Sequence, residues 1–372
     1  MTHWAKWRPR RLASEKRVYQ ARLSQYAVLR RGIEMNTITK HPKKEITLHT
    51  RSFSKVVVAI GMIFSASLAV SQVPPTSVVQ TSDVMPKDYF HTGAGAHYLR
   101  RAEGDIVTQT LRGNISVLIG SGANIVVLSG DQGKFLVDAG ISISEAKVKT
   151  ALHEIAPTPV TYVVNTHWHW DHTDGNGWLH DSGATIIAHK NTLKHLSEPT
   201  HVDDWNWTML PVRVGARPTI LVNDSTTFIF AGDTIHVDHY GPGHTDGDVS
   251  VYFEKADVLA LGDTFWNGNY PFIDNQDGGN INDAIKWADK AIERTTDKTI
   301  VVPGHGPAGT RSDLIEFRNM LATVRDNVRA LKQQGKSLDE VIAAKPSAAF
   351  DEKWGSFVID PAHFIGLVYA GL

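Results

Sequence analysis

The sequence predicts an α/β fold in which two mixed sheets pack face to face with helices outside, an αββα sandwich. Two observations carry the prediction. Short β-branched strands alternate with helical segments in an order of strands, helix, strand, helix, and the theme then recurs. Residues with metal-ligand chemistry also sit at the ends of apolar strands or in glycine-rich loops in both halves.

Taken in order, 73–105 is punctuated by Pro, Ser and Thr and reads as an arm, with regular structure expected from near Asn114. Ser116–Ile119, Asn124–Leu128 and Lys134–Val137 read as strands, with Gly130-Asp131-Gln132-Gly133 as a hairpin turn. Ser144–Ile155 has helical spacing and stops before Pro157. Val160–Val164 and Ala184–Ala188 are strands, and Asn191–Leu196 is a short helix. A second block of strands is expected at Thr219–Val222, Thr227–Phe230, Ile235–Val237, Val249–Phe253 and Val258–Leu261. A helix Asn282–Glu293, capped by Asn282, leads to strand Thr299–Val302. Helix Ser312–Gln334 and shorter helical segments finish the chain, which contains no short tandem repeat.

Charge divides the chain unevenly. Residues 1–55 hold 14 Lys and Arg against three acids, a balance of +11; the remainder, with 24 basic and 36 acidic residues, carries −12. The uncharged run Val56–Val70 is 15 residues long, short of the roughly 20 that span a bilayer. Basic flank, short apolar core and the small-residue exits Ser67-Leu68-Ala69 or Ala69-Val70-Ser71 read as a signal peptide. The expected organisation is therefore a basic leader and signal peptide over 1–71, an arm over 72–112 and one domain over 113–372. Met35 is an alternative start, and mature protein is expected to begin near Gln72, periplasmic or secreted and without a stable membrane anchor. The chain has no cysteine, so disulfides are excluded and metal ligands are limited to His, Asp, Glu and Asn. A mature charge of −12 argues against nucleic acid as a partner.

The most informative stretch is His167-Trp168-His169-Trp170-Asp171-His172, directly after the apolar run Tyr162-Val163-Val164. Imidazole nitrogen and carboxylate oxygen are what a borderline cation such as zinc accepts. Four such groups where a strand ends can be aimed at one point. Three later segments add to it: Gly241-Pro242-Gly243-His244-Thr245, Leu259-Ala260-Leu261-Gly262-Asp263 and Val301-Val302-Pro303-Gly304-His305-Gly306. Each alone reads as a turn or a strand end; their weight comes from occurring together and in order.

That ordered set resembles the metallo-β-lactamase superfamily over about 114–309. The resemblance implies the sandwich fold with a site at one edge between the sheets. It implies that His167, His169 and His244 bind a first metal, that Asp171, His172 and His305 bind a second, and that Asp263 bridges both. Two Zn2+ per chain are expected, with iron or manganese as alternatives. True β-lactamases that share the Gly-His-Thr context place a cysteine where Asp263 stands, and a lysine soon after. The bridging acid instead resembles the glyoxalase II and lactonase branches, although the lactonases carry a tyrosine where this chain has Trp266. The flavodiiron branch has Glu at the position of His169.

The expected function is an exported dinuclear zinc hydrolase acting on a small-molecule acyl substrate: an ester, lactone or related compound. In it a metal-bridged hydroxide attacks the carbonyl, and Asp171 orients it and moves its proton. A β-lactam-hydrolysing enzyme and a mononuclear iron dioxygenase of the same fold are the alternatives. No Lys or Arg lies between Asp263 and Ile285 to hold a β-lactam carboxylate; Lys190, Lys194, Arg213 and Arg217 are the cations left to consider. Trp168, Trp170, Phe265, Trp266 and Tyr270, with Trp205 and Trp207, are candidates to wall a substrate pocket. His189, His201, His236 and His239 read as structural or surface residues.

Overall fold

The computed structural model describes residues 104–205 and 207–372, and of Trp207 only the backbone. The leader, the signal segment with its exit near Gln72, and most of the arm lie outside the described residues. Among the described residues no helix is long and apolar enough to cross a membrane.

Two sheets form the centre. The first runs β1 (Val107–Arg112), β2 (Ile115–Ser121), β3 (Ala123–Gly130), β4 (Gly133–Val137), β5 (Val160–Val164), β6 (Thr185–His189) and, after the separate hairpin β7 (Thr200–Val202) with β8 (Trp207–Met209), β9 (Ile220–Val222). Its hairpin-linked strands β1 to β4 are antiparallel, and β4, β5, β6 and β9 are parallel. The second sheet is β10 (Ser225–Phe230), β11 (Asp233–Asp238), β12 (Ser250–Phe253), β13 (Val258–Ala260) and β14 (Ile300–Val302), antiparallel except for the last pair.

The layers follow from alternation along the strands. Ile115, Val117, Val126, Leu128, Phe135 and Val137 face the second sheet and pack against Ile235, Val237, Val251, Phe253 and Val258. The opposite face of the first sheet, with Leu118, Ile125, Val127 and Val163, is covered by Val148, Ala151 and Leu152 of helix Glu145–Ile155. Leu259, Leu261 and Val301 point out of the second sheet onto helices Ile281–Arg294, Arg311–Gln333 and Pro361–Ala370. The αββα sandwich is thus realised, with strands β5, β13 and β14 ending at one shared edge.

Three expectations are corrected. Regular structure begins at Val107, not near Asn114: β1 pairs with β2 over Val107↔Ile119, so the end of the expected arm is an edge strand. Its Thr-Gln-Thr run offers no apolar alternation to read, because most of β1 is exposed. Ile220–Val222 belongs to the first sheet, not to the second block, because Ile187↔Ile220 pairing extends the parallel run. The helix after Gly279 begins at Ile281 and its cap is Asn280, whose side chain accepts from the Asp283 N–H; Asn282 lies inside it.

Candidate metal centre

Each of the seven histidine and aspartate positions singled out in the sequence lies at the shared sheet edge. His167, His169, Asp171 and His172 occupy the loop and the short helix Trp170–Thr173 that follow β5. His244 sits in the loop between β11 and β12, Asp263 in a 3-10 turn after β13, and His305 after β14. All seven are at most 5% exposed. Two groups result: His167, His169, His244 and Asp263, then Asp171, His172 and His305, with the ligand atoms of each group within 4.8 Å of one another.

Asp263 spans the two. One oxygen lies 3.0 Å from His172 Nε2, and the other lies 3.4 Å from His305 Nε2 and 3.6 Å from His244 Nε2. Asp171 Oδ2 is 3.3 Å from His305 Nε2 and 3.8 Å from His172 Nε2. Two glycines make the approach possible. At Gly304 a Cβ would stand 1.9 Å from the Asp263 carboxylate, and Gly262, at φ +51°, leaves room for Thr166 where a Cβ would meet it at 2.4 Å. Backbone bonds tie the loops together: Gly304 N–H donates to Gly262 O at 2.7 Å, and Val249 N–H to Thr166 O at 2.8 Å.

The imidazoles are oriented from behind. His172 Nδ1 donates to Asp138 Oδ2 at 2.8 Å, and His169 Nε2 to Asp274 Oδ2 at 3.0 Å. His244 Nδ1 donates to the Phe272 carbonyl at 2.8 Å. His167 Nδ1 is 3.2 Å from Thr166 Oγ1, whose own proton goes to Asp138 at 2.8 Å. These bonds leave lone pairs on Nε2 of His167, His172 and His244 and on Nδ1 of His169, all turned inward. His167 Nε2 is buried with no hydrogen-bond partner. His244 Nε2 and His169 Nδ1 face each other at 2.9 Å, which is repulsive unless a proton or cation lies between. This donor set fits a pair of divalent cations.

Electrostatics point the same way. Burial, then His172 and the other imidazoles, hold His167 well below the usual range, and burial with His169 brings His244 down to about 4, so both keep metal-accepting lone pairs. In the other half burial pulls His172 and His305 down, but Asp263 and Asp171 raise both, with Asp138 adding to the effect on His172. Burial raises Asp263, yet His305 and His172 hold it well below the carboxylate range. The second half gathers the Asp138, Asp171 and Asp263 carboxylates around His172 and His305, a setting that favours positive charge.

Sequence reading missed Asp138, Asp274 and Asp248. Asp248 accepts from His244 N–H (2.7 Å), Thr245 N–H (2.9 Å) and Thr245 Oγ1 (2.7 Å), fixing the loop that carries His244. Its signal was the Thr-x-x-Asp spacing after Gly-His; that of Asp138 was an acid ending an apolar strand, as at Asp263. The aromatic candidates divide. Trp168, Trp170, Phe265, Trp266 and Tyr270 are at most 2% exposed and belong to the core. Trp168 stacks on His195 (4.8 Å), which the Asp246 carboxylate fixes at 3.0 Å, and Tyr270 stacks on Phe364 (4.4 Å). Trp205 alone of the candidates whose side chains are described is partly exposed, stacked on Phe272. Of the four histidines read as structural or surface residues, His236 pairs with Glu254, His201 with Thr208, and His189 stacks on His239.

Comparison with known proteins adds the kinship. A family model described as the metallo-beta-lactamase superfamily matches residues 118–305, half of the chain. The human protein named acyl-coenzyme A thioesterase MBLAC2 is 23% identical over 209 residues, 50% of this chain and 74% of that protein. A hydroxyacylglutathione hydrolase of Polaromonas sp. is 28% identical over 176 residues, 46% of this chain and 56% of the other. A metallo-beta-lactamase type 2 of Bacillus cereus is 26% identical over 209 residues, 54% of this chain and 73% of the other. Among solved structures, the sec-alkylsulfatase Pisa1 from Pseudomonas sp. superposes with a TM-score of 0.55 at 16% identity, over 76% of this chain and 54% of that one, a likeness of fold alone.

Proposed function

The chain belongs to the metallo-beta-lactamase superfamily of metal-dependent hydrolases, and from that premise we propose an exported dinuclear zinc hydrolase of ester, thioester or lactone bonds. One observation carries the reading: two buried ligand groups share the Asp263 carboxylate, whose oxygens reach toward both. His167, His169 and His244 would hold the first ion, Asp171, His172 and His305 the second, and Asp263 both. Two such ions supply Lewis acidity and a water whose pKa falls towards about 7.

The protein's own groups do the rest. Asp171, kept ionised by His172 and His305 against the effect of burial, accepts a proton at Oδ2 and delivers it to the leaving atom. Burial of the seven side chains excludes bulk water and strengthens each charge interaction. Asp138, Asp274 and the Phe272 carbonyl keep the imidazoles in register while charge develops.

Acyl substrates without a carboxylate suit the site best. The ion pairs around the ligands involve only His and Asp. Three of the four cations considered in the sequence are engaged elsewhere, Arg213 with Asp181, Arg217 with the Val212 carbonyl and Lys194 with Glu198, and the fourth, Lys190, is exposed at the start of helix Lys190–Ser197. The names of the thioesterase and hydroxyacylglutathione hydrolase relatives support an acyl thioester or ester. The test is elemental analysis, then kcat/KM on matched esters, thioesters, lactones, a penicillin and a carbapenem. About two zinc ions and the lowest values on the β-lactams are expected; penicillin turnover near ~10⁶ M⁻¹s⁻¹ would reverse the preference. Export rests on the Lys55–Ser71 pattern; protein recovered from the periplasm should begin within a few residues of Gln72, and an intact leader there would overturn it.

A further inference from the structure

We propose that Trp205 and Phe357 are the two walls of the substrate cleft and select an uncharged, apolar acyl group. This inference rests on the hydrolytic reading of the metal centre. Among the described residues, five aromatic side chains make ring contacts with His169, His244 or His305: Trp168, Trp205, Phe272, Trp266 and Phe357. Three of these are at most 2% exposed. Only Trp205 and Phe357 keep surface open to solvent while touching the metal centre.

Their placement is complementary. Trp205 lies 5.7 Å from the His169 ring, on the side of the first ligand group. Phe357 lies 6.0 Å from the His305 ring, on the side of the second. The two partly exposed aromatics thus stand one beside each ligand group. Both walls are braced from behind. Trp205 stacks on Phe272 at 4.7 Å and 28°, and Phe357 meets Trp266 edge-on at 5.7 Å.

Trp205 is also held by its neighbours. His363 Nε2, from helix Pro361–Ala370, donates to Asp204 Oδ1 at 2.9 Å, and Asp203 N–H donates to Gln276 Oε1 at 3.0 Å. The C-terminal segment thus supplies Phe357 directly and fixes the tip of the β7–β8 hairpin that supplies Trp205. An aromatic side chain offers apolar area to alkyl surface, so chain length is the property such walls would read. Their effect should grow with each buried methylene, since removing one from an apolar pocket changes selectivity measurably.

The test uses the zinc-loaded full-length protein and Trp205→Ala, Trp205→Phe and Phe357→Ala variants with equal metal content. Acyl thioesters and esters from two to ten carbons are compared, and the ten-carbon to two-carbon ratio of kcat/KM is the readout. The ratio should exceed one in the parent protein, fall roughly tenfold in both alanine variants and be largely restored in Trp205→Phe. Calorimetric binding of N-methyldecanamide, which carries the ten-carbon acyl group on a bond resistant to hydrolysis, to the zinc-loaded protein gives a readout independent of turnover, and should weaken roughly tenfold in the alanine variants. If no acyl substrate is turned over yet amide binding is lost in the variants, the hydrolytic reading fails while the apolar cleft stands. If hydrolysis is robust but both the ratio and amide binding match the parent, the two walls are refuted and the hydrolytic reading stands.

Discussion

At the scale of single residues, Asp138 has the greatest leverage outside the ligand set. It directly follows β4 at φ +66°, a backbone conformation that costs a non-glycine residue of order 1–3 kcal/mol. That conformation lets one carboxylate accept from Thr166 N–H at 2.7 Å, from Thr166 Oγ1 and from His172 Nδ1. In Asp138→Asn, Oδ1 can still serve Thr166 N–H, but the amide NH2 meets two donors. His172 must then turn its proton to Nε2, the atom facing the centre. Metal affinity should fall roughly 10–100-fold, read by competition with a chromophoric chelator. Unchanged affinity would mean that the His172 tautomer is not set by Asp138. Asp263→Ala is the harsher change, because one carboxylate faces both ligand groups. Elemental analysis should show loss of more than one ion's occupancy together with turnover, and a variant retaining two ions at parental rates would remove Asp263 from the bridging position.

Elements were legible from sequence in proportion to how strongly one period governed them. Val160–Val164 was read to the residue, because a β-branched run flanked by Pro159 and the His167–His172 cluster permits little else. The two long helices were placed to within a residue or two by their apolar stripes. Strands β7 and β8 were missed: three residues each, interrupted by Asp203 and Asp204, they carry no countable alternation. The candidate ligands stood out because their chemistry is local, four of them within six residues. Asp274 and the Phe272 carbonyl were not visible, because one folds back more than 100 residues onto His169 and the other acts through its backbone on His244, 28 residues away. The same limit hid the cap of helix Lys190–Ser197. His189 Nδ1 accepts from Asn191 N–H at 3.3 Å while Nε2 donates to the Asn223 carbonyl at 3.1 Å, and the ring stacks 4.0 Å from His239. Burial, with His239 next to it, brings His189 down to about 4. A histidine whose folded pKa is depressed contributes stability that is whole above its ordinary value near 6.5 and is lost as pH falls towards about 4. Protonation would also place a donor against Asn191 N–H. His189→Asn keeps a capping acceptor that does not titrate. The drop in melting temperature between pH 7 and pH 5 should therefore be smaller in this variant than in the parent, whatever its baseline. An equal drop would remove His189 from the acid response.

On the scale of the whole molecule, the metal centre joins the two sheets. Its ligands come from the loop after β5 of the first sheet and from the loops before β12, after β13 and after β14 of the second. Beside it, direct backbone bonds between the layers are few: Val249 N–H to Thr166 O, and Asn124 N–H to Gly304 O at 2.9 Å. Cations held there would cross-link the layers at an edge where the core has given way to buried His and Asp. Without disulfides, the chain has no covalent substitute for that link. A ligand present at roughly 1,000 times its Kd stabilises the folded state by about 4 kcal/mol, and in a domain of this size each kcal/mol moves Tm by roughly 2–4 °C. Chelation should therefore lower Tm by on the order of 10 °C per ion bound tightly, and zinc should restore it in two stoichiometric steps. Calorimetry with and without chelator, paired with elemental analysis of the same samples, makes the measurement. If stripped protein melts at the holo temperature, the sheets are held by their apolar faces alone. The buried cluster would then be a site built for chemistry without a share in stability.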